Sequence, residues 1–162
     1  MAAQITLRDN ATAGSIVSGN ISNGVAFTSA EKSNTVQAFL YKAAVVTINY
    51  SNLVATGGVS FTGVVQGKTL AGTWFDVAYQ FNSFQSTEFG RTDTVILDPN
   101  IFWSDAGVSN VIYYGGRTQG LVHPQQVALP DTWRFLLTVE QPSGSTFTSL
   151  DCSVFAELVS PQ

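Results

Sequence analysis

Apolar and polar residues alternate with a period of two in short runs along this chain, and that pattern constrains its fold more than any other feature. It is clearest near the C-terminus. Trp133, Phe135, Leu137 and Val139 alternate with Arg134, Leu136, Thr138 and Glu140, the signature of a strand with one buried face. Further on, Thr148, Leu150, Cys152, Val154, Ala156 and Leu158 share one face, with Ser149, Asp151, Ser153 and Glu157 opposite. Pro142, Ser143 and Gly144 lie between the runs; proline presets φ and glycine accepts positive φ, so they supply a turn. Residues 131–158 therefore predict one long β-hairpin. Cys152 falls within the apolar row and is expected to act as a small buried hydrophobe.

Similar strand signals recur upstream, at residues 37–50, 58–68, 73–81, 93–98, 110–115 and 125–129. Turn chemistry separates them: ATGG, TLAG, DPN, SDAG, GGRTQG and HPQ. No apolar pattern with a period of 3.6 is sustained, and no internal repeat is present. Roughly eight strands punctuated in this way predict an all-β fold, a single β-sandwich of jelly-roll-like form. Residues 36–162 are assigned to that sandwich. Residues 1–35, rich in Ala, Ser, Asn, Gly and Thr with isolated apolar side chains, predict an extended N-terminal arm with one or two short strands.

Composition limits the partners. The chain has 162 residues, enough for one domain with a real core. At 44% hydrophobic residues and a mean hydropathy of +0.16 it is not a disordered sequence. Only 11% of residues are charged, against roughly 25% in an ordinary soluble domain. A formal net charge of −4 with scattered cations argues against a nucleic-acid partner, which needs clustered Lys and Arg. A surface so poor in charge is weakly protected against association and suits a chain that works inside an assembly. The first ten residues lack the pattern of a signal peptide. No apolar run reaches about 18 residues, so no membrane partner is expected. One cysteine rules out an intrachain disulfide. The sequons at Asn10, Asn20 and Asn49 are read as chance matches in a chain rich in Asn, Ser and Thr.

Catalytic chemistry finds little to work with. His123, followed by Pro124, is the sole histidine and reads as a loop residue, so neither a zinc centre nor a cupin-type site can be assembled. Asp98 with Asp105, or Asp76 with Asp131, reads as turn and strand-end residues before a glycosidase pair. Gly-Lys-Thr at 67–69 lacks the earlier glycine of a phosphate-binding loop and leads into a strand. No catalytic, cofactor-binding or metal residues are expected, and the chain is read as a non-enzyme. Trp74, Trp103 and Trp133, with Tyr41, Tyr50, Tyr79, Tyr113 and Tyr114, would suit a sugar-stacking platform. The plainer expectation puts Trp133 and Phe75 in the core, Trp74 on a sheet face or interface, and Trp103 on a loop as an exposed contact.

The arm carries the remaining candidates. Ile5, Leu7, Ile16, Val17 and Ile21 are too sparse to build a core but suit a groove or sheet edge on a neighbouring chain. Arg8 and Asp9 would fix the register there. Residues 1–24 are expected to dock in that way, with the alternative that the arm is the first strand of its own sheet.

The order LRDNAT, then VVQGK with GTWFDVAYQF, then LPDTWRFLLTVE with STFTSLDCSVFAEL resembles small virion proteins of tailed bacteriophages. The resemblance covers most of the chain after residue 35. The family's DG turn is TLAG here, and residues 88–116 have no counterpart. The resemblance implies a capsid decoration or cement protein on the head shell, made in the host cytoplasm. Its partners would be the major capsid protein and further copies of itself, as a dimer or trimer. The alternative is a carbohydrate- or receptor-binding β-sandwich of a tail fibre or spike.

Overall fold

The computed structural model describes residues 2–17, 25–28, 41–84, 90–99, 112–113, 121–125 and 128–159. In chain order the elements are β1 (Ala2–Arg8), α1 (Asn10–Ala13), β2 (Ile16–Val17), β3 (Val25–Thr28), β4 (Ala43–Thr56), β5 (Val59–Lys68), β6 (Trp74–Phe84), β7 (Arg91–Leu97), β8 (Ile112–Tyr113), β9 (Leu121–Gln125), β10 (Trp133–Glu140) and β11 (Thr146–Val159). The fold is all-β, and its described helix is a single four-residue turn.

The strands form two sheets. The larger runs β1-β11-β4-β7-β9-β8, with β2 also paired to β11, and the smaller runs β3-β10-β5-β6. Pairing is antiparallel throughout except between β7 and β9. One buried cluster draws on both sheets. Val46, Ile48, Tyr50, Leu150, Cys152, Val154 and Leu158 come from the larger; Val59, Phe61, Val65, Trp133, Phe135 and Leu137 come from the smaller. Phe61 bridges them, with its ring centroid 6.2 Å from Tyr50 and 6.0 Å from Phe147. Each such side chain taken wholly out of water contributes about 1.5–3 kcal/mol, so the shared cluster is what holds the sheets together.

The C-terminal pattern holds, but the hairpin does not. Trp133, Phe135 and Leu137 are fully buried, as are Leu150, Cys152 and Val154. Yet β10 pairs with β3 and β5, and β11 with β1, β2 and β4. The connection at 141–145 carries the chain from one sheet to the other. The β4–β5 connection at Gly57 and Gly58 makes the same crossing, because β4 lies in the larger sheet and β5 in the smaller. The two corners are neighbours: Thr146 is opposite Thr56 on one sheet, and Glu140 is opposite Ser60 on the other. Gly57 has φ +75°, and a Cβ there would stand 2.8 Å from Ser145 Oγ. A side chain at Gly57 would thus collide with the adjoining corner.

Other local expectations are corrected by pairing. Thr148 is exposed while Phe147 is 2% exposed, because register shifts at 147–149 and 149–151 reset the alternation. The HPQ segment and His123 lie in β9 and not in a turn or loop. Among the described residues β8 reaches only Leu121 and Val122, and Pro124 pairs with Ile96 of β7 alone. Phe75 is 45% exposed, not a core residue. Residues 69–73 join β5 and β6 in a true hairpin, closed by Thr69 N–H to Thr73 O at 2.8 Å.

Candidate functional site

The N-terminal candidates sit on the chain's own sheet. β1 pairs with β11 from Ala2↔Val159 to Arg8↔Val154, and β2 takes up the same edge at Ile16↔Leu150. Ile5 and Leu7 pack on the core, and Ile16 is 2% exposed within it. The expectation that these side chains dock on a neighbouring chain is corrected: β11 needs an edge partner here, and the arm supplies it. Ile21 and Trp103 lie outside the described residues, as does most of the 88–116 stretch.

Between β1 and β2 the chain leaves the sheet for one helical turn. Asp9 caps it, its carboxylate accepting Ala11 N–H at 3.0 Å. The detour would orphan the backbone of Cys152, but side chains replace the missing strand. Asn10 Oδ1 accepts Cys152 N–H at 3.3 Å, and the Arg8 guanidinium donates to the Cys152 carbonyl and to that of Gly14. Asn10 N–H donates to Ser153 Oγ at 3.0 Å. Beside them Asp151 accepts from Ser15 Oγ and from Asn52 Nδ2, and these hydrogen bonds hold its carboxyl below the ordinary value of 3.8. Arg8 therefore acts as a structural clamp within its own chain. Burial pushes the Cys152 thiol up to about 12, which removes its nucleophilic form at neutral pH.

Among the described residues, both outer faces present side chains for contact. On the larger sheet Val17 and Val54 both flank Ser149 and are 45% and 53% exposed. Phe155 lies between Thr6 and Thr47, and Val159 continues the same side of β11.

On the smaller sheet, five polar and aromatic side chains from β5, β6 and β10 form one cluster. Lys68 is opposite Trp74, and Gln66 is opposite both Asp76 and Arg134. Arg134 Nε donates to Gln66 Oε1 at 2.7 Å, and Gln66 Nε2 donates to Asp76 Oδ1 at 2.7 Å. The Arg134 guanidinium carbon stands 4.2 Å from the centre of the Trp74 ring, and Lys68 Nζ stands 5.4 Å from it. At a partly exposed site such stacking contributes about 0.5–1 kcal/mol each. Trp74 covers a sheet face, as expected. Of the other aromatics of that platform, Trp133, Tyr41 and Tyr50 are buried, and the side chains of Tyr79, Trp103, Tyr113 and Tyr114 lie outside the described residues.

A cleft of about 410 Å³ opens beside this cluster, lined by Lys42, Phe75, Asp76, Val77 and residues 128–131. Gly67 forms a notch against it: a Cβ there would meet Phe75 Cζ and Pro130 Cγ, both at 2.7 Å. Lys42 and Asp131 form an exposed ion pair at 3.3 Å on its wall. Among the described residues no three His, Cys, Asp or Glu side chains group as metal ligands. Comparison with protein-family models, with curated proteins and with solved structures found no match.

Proposed function

We propose that this chain is a non-enzymatic bacteriophage virion protein, a jelly-roll-like β-sandwich that decorates and stabilises the capsid shell. Its partners are the major capsid protein and further copies of itself, and it resides on the capsid surface. The observation that supports this reading most is the outer face of the larger sheet. Val17, Val54, Phe155 and Val159 are solvent-facing there, among polar residues that include Glu157 between Phe155 and Val159, in a chain with 11% charged residues. Covering those four side chains with another protein gains apolar burial. The resemblance in residue order to small virion proteins points the same way.

The test is the composition of particles made from the genome that encodes the chain, purified on a density gradient and quantified by mass spectrometry. A decoration subunit is present in a fixed ratio to the shell protein. Particles that lack it would rule this reading out. The alternative, a sugar-binding module of a tail fibre or spike, rests on Trp74 beside the Asp76-lined cleft. It predicts glycan binding that is lost in Trp74→Ala, with the protein present only at tail stoichiometry.

A further inference from the structure

We infer that Arg134, laid on Trp74 and flanked by Lys68 on the outer face of the smaller sheet, is a docking site for a carboxylate side chain of a protein partner. The guanidinium is held on two sides. Its Nε is spent on Gln66, whose other end is anchored by Asp76, and its plane is supported by the indole at 4.2 Å. Arg134 makes no other hydrogen bond among the described residues, so the two terminal nitrogens remain as a fork with a fixed orientation. A planar fork of that kind matches a carboxylate with two parallel hydrogen bonds, and holding it in place beforehand removes the entropy of ordering it on binding.

Charge singles out the same place. The other described cations are committed within the chain: Arg8 to the carbonyls of Cys152 and Gly14, Lys42 to Asp131, and Arg91 to Asp93. Lys68 and Arg134 form no ion pair among the described residues. With Asp76 they give the cluster a local net charge of +1 (two cations and one carboxylate) on a chain of net −4. The occupant is a protein acid and not a sugar acid, because of what surrounds the fork. Arg134 already lies over the indole that a sugar ring would need. Beyond it the described positions of the same face are Leu136 opposite Val64 and Thr138 opposite Thr62, which among the described residues supply no convergent set of polar groups of the kind that fixes a sugar. This inference stands apart from the virion reading, since it concerns the chemistry of one face and not the identity of the assembly.

The experiment is a titration of the ¹⁵N-labelled full chain with an acetylated tri-glutamate peptide, followed at the Trp74 indole and Arg134 Nε–H signals. Tri-glutamine and oligogalacturonate serve as parallel probes, and Arg134→Lys tests the fork while keeping the charge. The expected result is a saturable shift of both signals with tri-glutamate and none with tri-glutamine. Affinity should fall several-fold in R134K, whose remaining spectrum overlays that of the parent. Three results would each overturn the inference: no shift with tri-glutamate, equal affinity in R134K, or a response to oligogalacturonate alone.

Discussion

Cys152 and Asp151 are adjacent in β11 and face opposite ways, and each makes a separate claim on experiment. The cysteine was legible in the sequence, because its apolar neighbours at alternate positions fix the face it shares. With the thiol buried and its pKa pushed up to about 12, the native chain should label with a thiol reagent only as fast as it opens globally. Denaturant should restore fast labelling; rapid labelling of the native protein would contradict the placement. The aspartate's environment was not legible, since Ser15 and Asn52 reach it from distant parts of the chain. Its folded pKa is depressed, so its stabilising contribution is complete above the ordinary carboxylate value of 3.8 and is lost as pH falls through the lower folded value. Asp151→Asn should flatten that acid limb of the stability profile while leaving neutral-pH folding intact. An unchanged acid limb in the variant would show that the hydrogen bonds do not form.

At the scale of elements, the period of two located the strands but carried no information on which strands pair. Residues 133–140 and 146–159 read as a hairpin because a Pro-Ser-Gly turn lies between them. Both corners instead pass from sheet to sheet, and the register shifts after Phe147 belong to that passage. Gly57 and Gly144 each have positive φ, at +75° and +86°, but only Gly57 faces a collision. Gly57→Ala should therefore cost about 1–3 kcal/mol from backbone strain with a steric addition, and Gly144→Ala less than that. Chemical denaturation measures both, and equal costs would mean the corners do not abut. The arm makes a larger claim. Deleting residues 2–17 removes Ile16 from the core, bares the edge of β11 and leaves the Cys152 backbone groups without Asn10 and Arg8. The truncated chain should lose its cooperative thermal transition or aggregate. A truncated chain that melts like the full one would restore the picture of a free arm.

For the whole molecule, the all-β class followed from alternation and from the missing helical period, while the order of strands in the sheets did not. Pairings such as β1 with β11 join the two ends of the chain, a separation over which local pattern says nothing. The candidate surfaces divide in the same way. Trp74 was visible as an aromatic on a sheet face, but its company, Gln66 and Lys68 from β5 and Arg134 from β10, comes from two other strands brought beside it by pairing. Phe75 was misassigned because Gly67 and Pro130 leave it a notch at the rim and not a place in the core. What the described residues offer a partner is two outer faces, one with exposed Val17, Val54, Phe155 and Val159 among polar residues and one carrying Arg134 over Trp74. The proposal that the chain decorates a phage capsid is tested most directly by a cryo-electron microscopy map of the particle, compared with one made after deleting this gene. It predicts difference density for a 17.3 kDa domain at symmetry-related positions on the outside of the shell, with a sheet face against the shell or a neighbouring copy. Identical maps from the two particles would contradict it.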